Sequence, residues 1–343
     1  GDQMAEELNM QSKHSIEKQT AHYVDCFTTV SEITNNECRE LLDKPADVVL
    51  MNGFEDDFVP KGATFTGKRK RARSTMLRVA NCLLGEDLGD DTLIIGTSGR
   101  YEFKNKGIDV FLESLNRLNR DKDLKKKVLA FVNVPSWVGD PREDLQKRLK
   151  SKDKFTEPLQ CPFITHWLHN MTHDQVLDML KYLGMGNRPE DKVKVIFVPC
   201  YQDGHDGILN KHYYDLILGE DLSVYPSYYE PWGYTPLESV AFRVPTITTD
   251  LAGFGLWVNS LKNQHGINDG VEVLHRSDYN YSEVADGIKD TVALFSTKTE
   301  AEIKEIRKRA GQVAEQALWK HFIQYYYEAY DIALRNAMKR QLK

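Results

Sequence analysis

Two glutamates flank a dense turn in the segment SYYEPWGYTPLES at residues 227–239. Glu230 lies in a predicted loop, where it is either an exposed loop residue or an acceptor of hydrogen bonds from sugar hydroxyls. Glu238 follows eight residues later, at the start of a predicted helix. Acidic side chains at such positions accept hydrogen bonds from ribose hydroxyls in other nucleotide-binding folds. This segment is therefore the first candidate for a binding site.

Glu238 has two interpretations. LSVYPS predicts a strand and TPLESVAF a helix, with Thr235 as N-cap and Pro236 in the first helical position. Glu238 then falls three residues after the cap, where its carboxylate bonds back to the Thr235 amide in a capping box. The alternative is functional, because Gly233 and the free amides of a helix start suit a phosphate, and Glu238 could then bind a ribose.

Two cations form a second candidate within GTSGRYEFKNKGIDVFLESL. The predicted strand ends at Ser98, Arg100 and Lys106 lie in the loop, and a helix begins near Ile108. Arginine offers a planar fork and lysine a point charge, which together suit a diphosphate. Loop cations are more often simply solvated, so this pattern alone leaves both interpretations open.

The elements around these residues predict an α/β fold. Beyond residue 75, apolar and β-branched runs occur at TLIIGTS, KKVLAFVNV, KVKVIFVP, LSVYPS, PTITT and GVEVLHR. Helical patterns separate them at IDVFLESLNRL, EDLQKRL, DQVLDMLKYL, KHYYDLILG and PLESVAF. Such alternation predicts a Rossmann-like parallel sheet with helices on both faces, and ligands bind beyond the carboxyl ends of its strands.

The first residues predict a remnant of another domain. Residues 4–24 are helical in pattern, DCFTTVSEIT and ADVVLMNG predict strands, and NNECRELLDK predicts a short helix between them. The next segment, FEDDFVPKGATFTGKRKRARS, shows no clear period, so we place a domain boundary there. We predict a remnant of a larger domain at 1–59, a Rossmann-like domain at 60–318 and a C-terminal helix at 319–343.

Composition limits the classes of function. The net charge of −6 gives no electrostatic reason to bind nucleic acid. No apolar run approaches the roughly 18–20 residues that span a bilayer, so we expect no membrane association. The scattered cysteines without a CxxC motif indicate reduced thiols and a cytoplasmic location: Cys26, Cys38, Cys82, Cys161 and Cys200.

Three motifs invite functions that we do not assign. GATFTGKR imitates a P-loop but has Arg69 where magnesium requires Ser or Thr, and nothing strand-like precedes it. The basic run GKRKRARS is interpreted as a solvated interdomain segment. The spacing of His166, His169 and His173 fits no standard zinc site, so we expect no metal.

GRYEFKNKGIDVFLESLNRLN and VYPSYYEPWGYTPLESVAFRVPTITTDLAGFG together resemble the glycogen (starch) synthases of the animal and fungal type. The resemblance continues from IEKQTAHYVDCFTTVSEIT to the tail around Trp319. It implies the two-domain architecture called GT-B, with a remnant of the acceptor-side Rossmann domain at 1–59, the donor-nucleotide domain at 60–318 and a C-terminal crossing helix at 319–343. It also implies transfer of glucose, with retention of configuration, from UDP-glucose to the non-reducing end of an α-1,4-glucan; ADP-glucose stays open as the donor.

The resemblance also implies a role for each candidate residue. Glu230 would hold the transferred glucose near the reaction centre, and Arg100 and Lys106 would neutralise the diphosphate. Neither carboxylate is an obvious nucleophile, so the resemblance favours reaction on one face of the sugar, assisted by the departing phosphate.

The nucleotide would be held by a further group of residues. The resemblance implies that Glu238 binds the ribose and Tyr213 stacks on the uracil. The backbone amides around Gly233, Tyr234 and Thr235 would hold the distal phosphate. No cofactor or metal is implied.

Most of the first domain of such enzymes is absent, so we expect this chain alone to transfer little or no glucose. Two alternatives stay open: a GT-B enzyme with another polysaccharide acceptor, and a catalytically silent sugar-nucleotide-binding subunit. A homo-oligomer is also left open. Relatives regulated by glucose 6-phosphate carry an arginine-dense helix before the position of Trp319. Here that helix keeps Arg307, Lys308 and Arg309, while Gln312 thins the cluster, so we expect no tight regulation.

Overall fold

A computed structural model describes residues 1–341. The first elements are α1 (Asp2–Glu7), α2 (Gln11–Tyr23), β1 (Thr28–Thr29), α3 (Glu32–Leu42) and β2 (Val48–Val49). β1 and β2 pair in parallel, and α3 connects them along the chain. The predicted single helix at 4–24 is wrong, because the chain breaks between α1 and α2 with Asn9 at φ 54°. α3 begins earlier than predicted because Ser31 forms a capping box with Thr34.

The segment predicted to be irregular is instead a helix, α4 (Gly62–Leu84). Its apolar residues cluster towards the carboxyl end, where Met76, Val79 and Leu83 are buried. The helix ends at Gly85, which adopts the left-handed conformation with φ 65°. The P-loop imitation lies within this helix, in agreement with its rejection.

The basic run GKRKRARS also belongs to α4. Arg69 and Arg73 donate to the two carboxylate oxygens of Asp221, at 2.6 and 2.8 Å. Burial opposes ionisation of Asp221, but the charges of Arg73 and Arg69 outweigh it and lower its pKa. The prediction of a solvated segment is therefore wrong for these two arginines, which tie α4 to the sheet.

The main sheet confirms the predicted parallel sheet and contains the six strands predicted beyond residue 75. β3 (Leu93–Ser98), β4 (Val128–Asn133), β7 (Val193–Val198), β8 (Leu222–Val224), β9 (Thr246–Thr249) and β10 (Val271–Leu274) form it. All pairs are parallel, and the spatial order is β10-β9-β8-β3-β4-β7. These strands are apolar on both faces because helices cover the sheet on each side.

Helices connect the strands, and helices also form the last part of the described chain. They are α5 (Ile108–Asn119), α6 (Glu143–Lys150), α7 (Gln175–Leu183), α8 (Tyr213–Ile217), α9 (Tyr234–Ala241), α10 (Gly253–Asn259), α11 (Tyr281–Ser296), α12 (Glu300–Gln316) and α13 (Trp319–Gln341). A small two-stranded antiparallel sheet of β5 (Val138–Pro141) and β6 (His166–Leu168) was not predicted. None of the helices within residues 1–341 is both long and apolar enough to cross a membrane.

α13 returns along the chain to the amino-terminal elements. Asn336 donates to the carbonyl oxygen of Asp25 at 2.8 Å, and α13 contacts β2. The backbone of Trp319 bonds the carbonyl oxygen of Phe54 at 3.1 Å. The three-part division at residues 59 and 318 stays a prediction, and residues 342 and 343 of the predicted crossing helix lie outside the described residues.

Candidate functional site

Lys106 and Glu230 meet at the carboxyl edge of the main sheet. Lys106 lies in the loop after β3 and Glu230 in the loop after β8, and these strands are neighbours. The Lys106 ammonium contacts the Glu230 carboxylate, and both side chains are largely buried, with 15% and 19% exposed. A mostly buried carboxylate is therefore balanced by a cation from the adjacent loop.

Gly107 lets these two loops approach each other. Its φ is +68°, and a Cβ atom there would lie 2.0 Å from the carbonyl oxygen of Pro226. One further bond joins the loops, because the Tyr228 amide donates to the Asn105 carbonyl at 2.8 Å. Any side chain at position 107 would push Lys106 away from Glu230. The sequence analysis missed this role, although a glycine directly before a helix was its visible signal.

The backbone of Glu230 is fixed on its other side by the loop after β9. Its amide donates to the Leu251 carbonyl at 3.1 Å, and its carbonyl accepts from the Gly253 amide at 3.0 Å. The nearby Trp232 is 2% exposed and packs against an aromatic cluster formed by Phe254, Trp257 and Phe322. The density of aromatic residues around Glu230 therefore anchors the loop.

The predicted cap of the following helix is wrong. α9 begins at Tyr234 with Gly233 as N-cap at φ 108°, and no side chain caps it. Thr235 lies inside the first turn, and Glu238 makes no bond back to its amide. The helix starts earlier than Thr235 because glycine adopts this positive φ without steric cost.

The amino-terminal turn of α9 lies beside Glu230. A Cβ atom built on Gly233 would lie 3.4 Å from Cγ of Glu230. The amides of Tyr234 and Thr235 have no partner within the helix, as in the first turn of any α-helix, and Pro236 contributes no N–H. These amides point away from the helix, where an anion is favoured.

Glu238 bonds a tyrosine instead of its own helix. The Tyr214 hydroxyl donates to Oε1 of Glu238 at 2.8 Å. Burial raises the pKa of Glu238, and the hydrogen bond from Tyr214 opposes this rise. The Tyr214 ring stacks against Phe58 and Phe242, with ring centroids 5.0 and 5.3 Å away, and these two rings also contact each other. The carboxylate is thus held half-buried one turn into α9.

Tyr213 is the first residue of α8. Its hydroxyl bonds Ser98 at the end of β3 (2.9 Å) and the Tyr225 hydroxyl after β8 (3.3 Å). Burial is the main cause that raises its pKa well above the ordinary value. Its hydroxyl thus bonds residues at the ends of the same two strands whose loops carry Lys106 and Glu230.

Arg100 stands apart from the Lys106–Glu230 pair. Its side chain is 76% exposed and pairs with Glu102 at 3.1 Å. Glu102 also accepts a hydrogen bond from Asn105 at 2.7 Å, within the same loop. Arg100 is therefore in the same loop as Lys106 but makes no direct contact with Glu230 in the described structure.

A buried carboxyl that the sequence analysis missed lies beneath the site. Glu220 is 4% exposed, and burial raises its pKa to about 8. Its carboxyl accepts from the Ser223 hydroxyl at 2.6 Å. A Cβ atom on Gly96 would lie 2.1 Å from Oε1 of Glu220, so the glycine inside TLIIGTS was the available signal.

We expect the Glu220→Gln variant to lose a part of the pH dependence of stability. From the ordinary pKa of 4.5 up to about 8, the unfolded chain releases this proton while the folded protein keeps it. The free energy of unfolding therefore falls as the pH rises, by up to about 1.4 kcal/mol per unit from this group. Below that window both states are protonated and the contribution is constant. Urea unfolding at pH 5, 6.5 and 8 measures it, and identical pH slopes in both proteins would contradict it.

The remaining arginines of α12 are engaged by the protein. Arg307 is 9% exposed and lies 3.4 Å from the carbonyl oxygen of Glu220. Burial, followed by the charge of Arg69, lowers its pKa to about 9. Arg309 bonds Asp269 at 3.0 Å.

The three histidines do not converge. His166 is buried, and burial lowers its pKa. The described residues place it near Cys200 and Asp206, within a span of 4.8 Å. However, its ring nitrogens bond Thr165 at 2.8 Å and the Asp206 carbonyl at 2.7 Å. The Asp206 carboxylate accepts from three backbone amides of the following turn. The His166 ring and the Asp206 carboxylate thus both have hydrogen-bond partners within the protein.

Comparison with known proteins identifies what the chain resembles as a whole. A family model described as glycogen synthase matches residues 2–144 and 140–343. The glycogen [starch] synthase of Neurospora crassa is 28% identical over 387 residues, which cover 95% of this chain and 54% of that protein. Isoform 1 of Saccharomyces cerevisiae is 29% identical, with 100% and 57% covered. The chain thus spans about half the length of the curated relatives it matches.

Solved structures share the fold at low sequence identity. A sucrose-phosphate synthase from Thermosynechococcus elongatus gives a TM-score of 0.51 at 16% identity, covering 97% of this chain and 62% of that one. The Anabaena protein HepE, solved in complex with UDP and glucose, also gives 0.51 at 16% identity, with 91% and 63% covered. The predicted GT-B-type fold is confirmed.

Proposed function

This chain belongs to the glycogen synthase family, and from that premise we propose that it forms the donor-binding part of a retaining glucosyltransferase. The full-length protein would move glucose from a nucleotide sugar, by preference UDP-glucose, to the non-reducing end of an α-1,4-glucan. The observation that carries the proposal is the Lys106–Glu230 pair, which lies beside the free amides of α9. At one edge of the sheet, a carboxylate that can accept hydrogen bonds from sugar hydroxyls thus lies beside an ammonium group and helix amides that can bind an anion.

Lys106 would contact Glu230, which holds the sugar, and would also bind the diphosphate. Its ammonium has three N–H donors, and the contact with Glu230 uses one of them. The other donors are free for diphosphate oxygens, with the amides of Tyr234 and Thr235 on the distal phosphate. Arg100, exposed in the same loop, would add a second positive charge.

Glu238 and Tyr213 would hold the nucleoside. Glu238 lies one turn beyond the phosphate-binding amides, a distance that suits the ribose hydroxyls. Tyr213 offers its partly exposed ring to the base, while its hydroxyl is fixed by Ser98 and Tyr225. Two hydrogen bonds that hold the ring in place reduce the entropy lost on stacking.

The transfer itself would occur on one face of the glucose. The bond from C1 to the diphosphate oxygen breaks, and an acceptor hydroxyl oxygen forms the new bond to C1 from the same side. The proton of that hydroxyl passes to the departing phosphate oxygen. Glu230 would stabilise the positive charge that develops at C1, while Lys106 and Arg100 stabilise the negative charge on the leaving group.

Calorimetric titration of this chain with UDP, ADP and UDP-glucose tests the donor site. We expect UDP to bind more tightly than ADP, and the Arg100→Ala, Lys106→Ala double variant to lose the binding. Flat traces for all three ligands, or equal binding by the double variant, would contradict the proposal.

We expect donor binding to need no metal ion, because two cationic side chains and the α9 amides already oppose the diphosphate charge. Adding EDTA in excess should leave the UDP dissociation constant unchanged in the same calorimetric assay. A loss of UDP affinity that added magnesium restores would contradict this expectation. Titration of UDP into EDTA-containing buffer without protein is the control for heats of dilution.

A further inference from the structure

We propose that Trp137 is a stacking platform for a pyranose ring of the glucan acceptor, an inference that rests on the proposed function. Trp137 lies in the loop after β4, directly before β5, and its side chain is 70% exposed. β4 neighbours β3 in the sheet, and both strands end at the same edge. The indole therefore projects from the loop adjacent to the one that carries Arg100 and Lys106.

The backbone on both sides of Trp137 is fixed. The Ser136 amide donates to the Pro199 carbonyl at 2.9 Å, and the His169 amide donates to the Trp137 carbonyl at 3.1 Å. Val138 pairs with Leu168 in the antiparallel sheet of β5 and β6. The exposed indole is thus presented by an ordered backbone, so a ligand that stacks on it need not order the loop first.

One buried carboxylate links Trp137 to the donor-side loop. Asp174 is 6% exposed, and its Oδ1 accepts from the Tyr101 hydroxyl at 2.8 Å. Its Oδ2 accepts from the Ser136 hydroxyl at 3.0 Å. Tyr101 directly follows Arg100, and Ser136 directly precedes Trp137. Asp174 therefore ties the loop that carries Trp137 to the loop that carries Arg100 and Lys106.

The chemistry of this position suits a sugar. The His169 ring lies 5.0 Å from the indole, tilted by 41°, and adds ring nitrogens that can bond hydroxyls. An indole has an apolar face and one N–H donor, which match the C–H face and the hydroxyls of a pyranose.

The surroundings of Trp137 argue for a single ring as the occupant. Ser136 and Gly139 are half-buried small residues, and Asp140 is exposed. In the described structure the Trp137 indole therefore has one ring contact, with His169, in a largely polar setting. A stable protein interface buries about 800 Å² on each partner around an apolar centre, which one indole among such neighbours does not supply.

Maltoheptaose is the probe that tests this inference. We expect calorimetric titration of the chain with maltoheptaose to show binding, and the Trp137→Ala variant to bind maltoheptaose at least about tenfold more weakly. Trp137→Phe should keep most of the affinity, because it retains a ring. Tyr182→Ala, which removes an 87% exposed aromatic from α7, is the matched control and should bind normally. Cellohexaose tests whether the platform prefers α-linked chains.

Several outcomes would overturn the inference. They are equal maltoheptaose binding with and without the Trp137 ring, loss of binding in the Tyr182 control, or no binding by the unaltered chain. UDP titration of the same samples separates this inference from the proposed function. If UDP binds and maltoheptaose does not, only the acceptor platform is wrong; if neither binds, the proposed function fails as well. Trp137→Ala should leave UDP affinity and thermal stability unchanged.

Discussion

Replacing Glu230 by glutamine should lower kcat for glucose transfer by the full-length protein about 10²–10³-fold. The substitution preserves the shape of the side chain but removes the negative charge beside the reaction centre. Transition states of glycosyl transfer carry positive charge at C1, so the lost attraction acts mainly in the transition state. We therefore expect kcat to fall while KM for the donor changes little.

Glu283→Gln is the matched control, because Glu283 is an exposed carboxylate on α11. Its kcat should equal that of the unaltered protein. Steady-state kinetics with UDP-glucose and glycogen measure both variants, with thermal unfolding as a check on folding. An unchanged kcat in Glu230→Gln would show that this carboxylate takes no part in the reaction and would favour the alternative of a catalytically silent subunit.

Lys106→Ala should weaken UDP binding about 100-fold, or about 2.7 kcal/mol. Two effects add in this variant. The diphosphate loses charge-assisted hydrogen bonds. The Glu230 carboxylate also loses its cation and is left to repel the diphosphate. Lys104→Ala provides the control, since Lys104 is exposed in the same loop and should leave UDP affinity unaltered.

A second substitution separates these two effects. If the repulsion by Glu230 is real, the Lys106→Ala, Glu230→Ala double variant should bind UDP more tightly than Lys106→Ala alone. Calorimetry on the four proteins of this cycle gives the coupling energy directly. Additive effects of the two substitutions would mean that the contact between Lys106 and Glu230 has no bearing on donor binding.

The sequence predicts those parts of the candidate site that lie in the loops at the ends of strands. Runs such as TLIIGTS and LSVYPS have no charged residue and are rich in apolar and β-branched residues, which predicts buried parallel strands. Residues that directly follow such strands gather at one edge, so Lys106 and Glu230 could be expected to lie close together. The start of α9 was not predictable, because Gly233 and Pro236 each suit a different helix boundary, and the loop before Gly233 is fixed by tertiary contacts such as the burial of Trp232.

Most features that the sequence did not predict depend on contacts between residues far apart in the chain. The basic residues of α4 obscured its helical pattern, and their partner Asp221 lies about 150 positions away. Asp174 joins Tyr101 to Ser136 across separations of 73 and 38 residues. No local pattern encodes such pairings.

A crystal structure of this chain with bound UDP would test the central claim most directly. We predict diphosphate oxygens within hydrogen-bond distance of Lys106 and of the Tyr234 and Thr235 amides, with the ribose at Glu238. UDP bound elsewhere, such as near Arg69 and Arg73 of α4 and Arg307 of α12, would contradict the assignment of the donor site.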